Sequence, residues 1–268
     1  MSLTQSTQRW WITGASAGIG RELALRLIAD GHLVYATARN QAELNRLAEP
    51  YRGRLIPLPA DVADSAAMDA LWQSLPQPPE YLDGVIFSAG ICEYVDVPSL
   101  SAASFRRVMD VNFHGMVNAC RSALPLLQAS RPHKSSQKPK LIGIGSLSSI
   151  AGLPRAEAYG ASKAAVDYFL QALRVDVGHE IDVTVVQPGF VDTRLTAVND
   201  FPMPWIWSVS RAADYLYDRL WSGKRLIRFP WQLALTLRLG AMFPSLWYGV
   251  IAPRLRRVPS PTSTGATP

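Results

Sequence analysis

A glycine-rich turn, Thr13-Gly14-Ala15-Ser16-Ala17-Gly18-Ile19-Gly20, stands between the apolar run Trp10-Trp11-Ile12-Thr13 and a helical stretch from Gly20 to Asp30. A short run of that kind reads as a strand buried on both faces, which belongs in a parallel sheet covered by helices. Glycines at the turn permit a sharp change of direction. They also bring backbone N–H groups to a positive helix terminus, where a pyrophosphate can bind. Two other readings fit the same residues. One is a purely structural strand-to-helix turn; the other is the G-x-S-x-G elbow of serine hydrolases, matched by Gly14-Ala15-Ser16-Ala17-Gly18.

The alternation continues along the chain. After Gly31-His32, strands are expected at Leu33 to Ala38, Leu55 to Leu58, Gly84 to Ser88, Leu141 to Ile144, Val183 to Val186 and Arg225 to Phe229. Helices are expected near Gln41 to Ala48, at Ser65 to Ser74, within Ser104 to Ala129, at Tyr159 to Gly178 and from about Ala212 to Trp221. This pattern predicts an α/β fold, a doubly wound, Rossmann-type, mostly parallel sheet of seven strands in one domain over residues 1–230. Residues 231–258 read as an extension of that domain and 259–268 as a Pro/Ser/Thr-rich disordered tail. The basic, polar segment from Ser130 to Lys140 reads as a surface loop. With 268 residues, 48% of them hydrophobic, the chain has enough material for a sizeable core. Cys92 and Cys120 cannot make a disulfide framework and neither has metal-ligand spacing, so no metal is expected and a reducing cytoplasm is the simpler location. Met1 to Gln8 is polar, without an apolar signal region.

Tyr159 and Lys163 lie four residues apart, on one face of the expected helix, thirteen residues after Ser146. A phenol with a pKa of about 10 is a poor acid or base near neutrality. A nearby ammonium favours the phenolate and draws that pKa towards the working range. Ser146 can hydrogen-bond the oxygen of a carbonyl or alcohol that Tyr159 protonates or deprotonates. That is the chemistry of hydride transfer at a ketone, given a nicotinamide.

The T-G-x-x-x-G-x-G turn, the Ser146, Tyr159 and Lys163 set, and Pro188-Gly189 through Thr193 (P-G-x-x-x-T) match in order and spacing. On these residues the chain resembles the core group of the short-chain dehydrogenase/reductase family over roughly residues 8 to 230. The resemblance implies an NAD(P)-dependent oxidoreductase with Asn112, Ser146, Tyr159 and Lys163 as catalytic residues. Asn112 would position a water linking Lys163 to solvent. It further implies that Gly14, Ser16, Gly18, Ile19 and Gly20 bind the dinucleotide, that Asp61-Val62 contact adenine, and that Pro188, Gly189 and Thr193 hold the nicotinamide. Tyr159 and Lys163 would touch the cofactor as well. The family's usual Asn-Ala-Gly is Ser88-Ala89-Gly90 here; the resemblance implies that these three also contact the cofactor, and the serine should affect the sheet slightly and the chemistry not at all. By family analogy the protein forms a homo-dimer or homo-tetramer.

Enzymes that prefer NAD place a carboxylate at the end of the second strand to bind the ribose 2′-hydroxyl. This chain has Thr37-Ala38-Arg39 there. Arg39 is placed to pair with a 2′-phosphate, so NADP is expected over NAD, against the alternative of a solvated surface arginine. A serine hydrolase would need a histidine after an acid, and none of His32, His114, His133 or His179 stands in a recognisable motif. A dinucleotide-binding sensor or scaffold without turnover is a further alternative, opposed by the intact catalytic set.

In the family, the segment after the sixth strand closes the substrate pocket, here Phe190 to Val209. It contains Phe201-Pro202-Met203-Pro204-Trp205-Ile206-Trp207, which suits an apolar carbonyl or alcohol unless these aromatics merely complete the core. From Arg219 onward there are eight Lys or Arg and no acid, so the +6 chain carries a charge of −2 before that point. Trp231, Phe243, Trp247 and Tyr248 accompany those charges, but Arg238 and Pro244 interrupt any spanning helix. The segment fits either peripheral contact with an anionic membrane or packing on the body or another subunit. Aliphatic spacers argue against nucleic acid.

Overall fold

Trp10 and Trp11 are neighbours on one strand, so their side chains leave it on opposite faces. Each anchors a separate core. In the computed structural model, which describes residues 7–95, 97, 100–130 and 137–256, their strand is β1 (Arg9–Thr13). The other sheet strands are β2 (Leu33–Ala38), β3 (Leu55–Pro59), β4 (Gly84–Phe87), β5 (Lys140–Ile144), β6 (Asp182–Pro188) and β9 (Leu226–Phe229). All seven are parallel, in the order β3-β2-β1-β4-β5-β6-β9. The expected seven-stranded, doubly wound sheet is therefore what the chain forms.

One face of the sheet is covered by α1 (Gly18–Ala29), α2 (Gln41–Ala48) and α7 (Val209–Tyr217). The other carries α3 (Ser65–Asp69), α5 (Gly115–Ala129) and α6 (Glu157–Val177). Trp10 fills the first core by lying across Gly84, where a Cβ would stand 2.3 Å from its ring. Trp11 fills the second, edge-on to Trp72 at 5.0 Å, with its indole N–H donating to Thr37 Oγ1 at 2.9 Å. Buried aromatics of this size are worth about 3–5 kcal/mol each against alanine.

The expected helix Ser65 to Ser74 stops early. Asp64 caps α3, which ends at Asp69, and Leu71–Ser74 continues as a 3-10 turn. A two-stranded parallel pair, β7 (Val191–Asp192) with β8 (Trp207–Ser208), closes the segment after β6 and was not expected. Beyond β9 the chain makes α8 (Trp231–Met242), α9 (Pro244–Leu246), a π-turn (Trp247–Ile251) and α10 (Ala252–Arg254). Residues 257–268, including the tail expected to be disordered, lie outside the described residues, as do 131–136 of the basic loop.

Parallel strands bring all their C-terminal ends to one edge. The order reverses between β1 and β4, because the chain first builds outward through β2 and β3. Such a switch point opens a crevice between neighbouring loops, where doubly wound folds bind ligands.

Candidate active site

The glycine turn after β1 faces the Ser88-Ala89-Gly90 loop after β4 across that crevice. Gly14 and Gly18 have φ values of 69° and 58°, in the left-handed region that favours glycine. A Cβ at Gly14 would lie 2.7 Å from Ala89 N, so the two loops could not approach with any side chain there. Ser88 N donates to Thr13 O at 3.2 Å and Ala89 N to Thr13 Oγ1 at 3.3 Å. Helix α1 begins after Ala17 with no capping side chain and no acid in its first turn. Its terminal N–H groups are thus left to an anion. Ser16 and Ile19 belong to this turn, Gly20 packs against Ser88, and a Cβ on Gly18 would meet Thr193 at 3.4 Å. The donor set and the side-chain-free cradle fit a dinucleotide.

Ser146 follows β5 and caps a 3-10 turn, Leu147–Ser149, its Oγ accepting from Ser148 N at 3.1 Å. Tyr159 and Lys163 occupy the first turns of α6, and the Tyr159 phenol lies within the electrostatic reach of the Ser146 side chain. Lys163 is almost fully buried, donates to Ile144 O at 2.9 Å, and holds its Nζ 5.8 Å from the Tyr159 ring centre. Burial lowers the Lys163 pKa to about 8, with Asp167 and then Cys92 pulling the other way. Burial pushes the Tyr159 phenol up, Cys92 adds to this, and the Ser146 side chain opposes it. The direction that burial imposes on Tyr159 is thus opposite to the one expected from a neighbouring ammonium.

Asn112 lies in a π-turn, Asp110–His114, joining α4 (Ala102–Met109) to α5. Its Oδ1 accepts from Ile91 N at 2.8 Å, and its Nδ2 donates to Ile91 O and to Ser162 Oγ, each at 2.9 Å. Ser162 in turn donates to Tyr159 O at 2.7 Å. Asn112 thus ties the β4 loop to the turn of α6 that carries Tyr159. Between them Gly90 leaves room: a Cβ there would be 3.2 Å from Asn112 Oδ1 and 3.5 Å from Lys163 Nζ.

Pro188 ends β6, and Gly189 N donates to Phe229 O at 2.7 Å, so this loop is fixed against β9 and Leu233. Arg39 stands exposed at the end of β2, just before Asn40 caps α2. Asp61 spends one carboxylate oxygen on Ala63 N at 3.0 Å, and Val62 is buried against Gly115. The described histidines are engaged elsewhere. His32 accepts from Gln8 N, at the opposite end of the sheet from Ser16, while His114 pairs with Asp110 and His179 with Glu180; His133 lies outside the described residues.

Several functional candidates were not legible in the motifs. Asp167, one turn beyond Lys163 and buried, accepts from Ser149 Oγ and Gln187 Nε2, and Gln187 in turn accepts from Arg228. Burial raises the Asp167 pKa, against the hydrogen bonds of Ser149 and Gln187 and the charges of Lys163 and Arg228. The i, i+4 ladder Tyr159, Lys163, Asp167 was the one signal available. Cys92 and Tyr94 also border the site, and burial pushes the Cys92 thiol up to about 11, so it is not a thiolate. The aromatic run after β6 divides. Phe201 meets Tyr94 edge-on at 5.5 Å and Phe190 at 6.0 Å, walling the crevice, whereas Trp207 stacks on Phe229 at 4.9 Å in the core.

A family profile described as short chain dehydrogenase matches residues 9–201. An uncharacterized oxidoreductase of Myxococcus xanthus is 33% identical over 250 residues, covering 91% of this chain and 96% of that one. An 11-beta-hydroxysteroid dehydrogenase A of Sesamum indicum is 33% identical over 190 residues, 69% of this chain and 53% of that one. Among solved structures, a short-chain dehydrogenase from Streptomyces avermitilis superposes with a TM-score of 0.78 at 20% identity, over 91% of this chain and 98% of that one. In sequence along most of its length and in fold, the chain belongs to the short-chain dehydrogenase/reductase family of oxidoreductases.

Proposed function

We propose that the protein is an NADP-dependent reductase of apolar ketones, also able to run the reaction from the secondary alcohol. The observation that carries this reading is the placement of Ser146 and Tyr159 together beside buried Lys163, with the aromatic wall of Tyr94, Phe190 and Phe201 next to it. The bound dinucleotide supplies the hydride. Ser146 Oγ donates a hydrogen bond to the carbonyl oxygen, and Tyr159 gives that oxygen its proton as the carbon is reduced. In the reductive direction the Tyr159 proton is the one consumed. Lys163 stabilises the phenolate left behind, and its proton is replaced through the space beside Gly90, where a water between Lys163 and Asn112 would complete the relay. Arg39, with no acid beside it on β2, pairs with the 2′-phosphate.

A hydroxysteroid dehydrogenase among the relatives is consistent with a substrate of low polarity. Self-association into a dimer or tetramer belongs to the same proposal. Incubation with NADPH and a panel of apolar ketones tests it: alcohol should form in step with NADPH loss, and faster than with NADH. Tight NADPH binding without turnover on any ketone would favour a dinucleotide sensor instead.

A further inference from the structure

The C-terminal extension does only half of its expected packing. Ala234, Leu237 and Gly240 of α8 face inward with Trp247 and Ala252, forming a small core on Leu147 and Ala151. Trp247 Nε1 donates to Gly152 O at 3.0 Å, and Gly152 N donates to Tyr248 Oη at 3.1 Å. The extension is thereby fastened to the loop that carries Ser146. Its other side is equally apolar and uncovered. Trp231, Leu235 and Leu239 follow one another at intervals of four along the outer face, and Met242, Phe243 and Leu246 prolong it. Among the described residues, nine of the seventeen exposed large hydrophobic ones fall within residues 231–255, Trp231 and Met242 being 68% exposed each. A helix at a water surface turns polar residues outward, so this face is built for an apolar neighbour.

Charge indicates which neighbour. Arg238, Arg254 and Arg256 are exposed among these residues, and residues 231–256 contain no Asp or Glu. A second copy packed face to face through this same segment would bring its arginines to a surface on which residues 231–256 offer no acid to pair them. An anionic lipid surface meets both needs, accepting the apolar side chains and pairing with guanidinium groups at the level of its phosphates. Shape agrees. Among the described residues no single helix is long and apolar enough to cross a membrane; α8 and the stretch Pro244–Arg254 pass that test only together, and they are bent by 104°. The pair can lie in one leaflet.

We infer that α8 to α10 seat the protein on an anionic membrane surface, and that the adjoining Ser146 crevice draws a long-chain, lipid-borne ketone or alcohol from it. The seat stands on the exposed face, its charge and its bend; the substrate class rests on the proposed reductase activity.

Flotation of the full chain with phosphatidylcholine vesicles, with and without phosphatidylglycerol, tests the seat. Binding should require phosphatidylglycerol and weaken as salt rises above about 0.1 M. The double variant L239E/M242E should stay with the unbound protein while reducing a small soluble ketone at the parent rate. Its turnover of a long-chain ketone carried in the vesicles should fall with binding. Replacing Arg254 and Arg256 by Gln should weaken binding about fivefold for each charge removed. Indifference of the parent protein to anionic vesicles at low salt would overturn the inference. So would light scattering showing that L239E/M242E splits an oligomer, because a second copy would then own the face. Loss of soluble-ketone turnover in the parent would instead defeat the reductase reading and leave the flotation result intact.

Discussion

Helices α6 and α8 both pack on the loop that carries Ser146, yet they specify their inward faces differently. The inner side of α6 mixes Val166 and Leu170 with Ser162, Lys163 and Asp167, and Ser162 Oγ, Lys163 Nζ and Asp167 Oδ2 each meet a partner on another element. Only one rotation of that helix satisfies those groups, since a buried charge left without partners costs several kcal/mol. Helix α8 buries Ala234 and Leu237 but presents Trp231, Leu235 and Leu239 outward, so its apolar residues hardly distinguish the two sides. Its orientation is set instead by one tryptophan at the bend, Trp247, whose ring leaves no room for a Cβ at Gly240. Polar chemistry fixes a helix uniquely; apolar content alone leaves a second face available.

The largest expected effect lies on α6. Tyr159→Phe keeps the ring and removes the proton, so turnover should fall by about 10²–10⁴-fold, the usual worth of a positioned acid. NADPH affinity, read by fluorescence titration, should stay near the parent value. Loss of both together would make Tyr159 a structural residue and erase the contrast between the helices.

On α8 the expected loss is of stability. Trp247→Ala should cost about 3–5 kcal/mol in denaturant unfolding, as for other buried tryptophans, whereas exposed Leu239→Ala should change stability by less than about 0.5 kcal/mol. Equal costs at the two positions would mean that the outer face of α8 is covered. Arg39→Ala, remote from both helices, should weaken NADPH by about 1.5–3 kcal/mol, roughly ten- to hundred-fold, and leave NADH unaffected.

The smallest effect is a shift in pH dependence. Lys163 acts when charged, and its pKa is lowered by burial to about 8. Activity should therefore decline as pH rises through that value. Asp167 opposes the lowering, so Asp167→Asn should move the alkaline limb of kcat/KM to lower pH. For stability the sign is reversed. Between about pH 8 and the ordinary lysine value of about 10.4 the unfolded chain binds more protons at this site, so its contribution grows more favourable as pH rises. An alkaline limb unmoved by Asp167→Asn would detach Asp167 from Lys163.

Most of the sheet was legible in the sequence because buried parallel strands are short apolar runs bounded by turns. Strand β2 and helix α2 fall at the expected residues. The crevice was legible as well, since Gly14, Gly18, Ser146, Tyr159 and Lys163 keep a fixed spacing. What escaped depends on distant partners. The Asp167 network joins α6 to β6 and β9, and no local pattern links Asp167 with Gln187 and Arg228. The π-turn at Asn112 sits inside what reads as one continuous helix. For α8 the periodicity carried no phase, so the sequence could not choose between packing and exposure, and the fold contains both.

The central claim is that the crevice between β1 and β4 reduces a ketone with NADPH, using Tyr159 as the acid. Its most direct test is the stoichiometry of NADPH consumption and alcohol formation with an apolar ketone, measured side by side for the parent protein and Tyr159→Phe. The account expects one alcohol per NADPH in the parent and almost none in the variant, although both bind NADPH. Alcohol formation at an undiminished rate in Tyr159→Phe would contradict it.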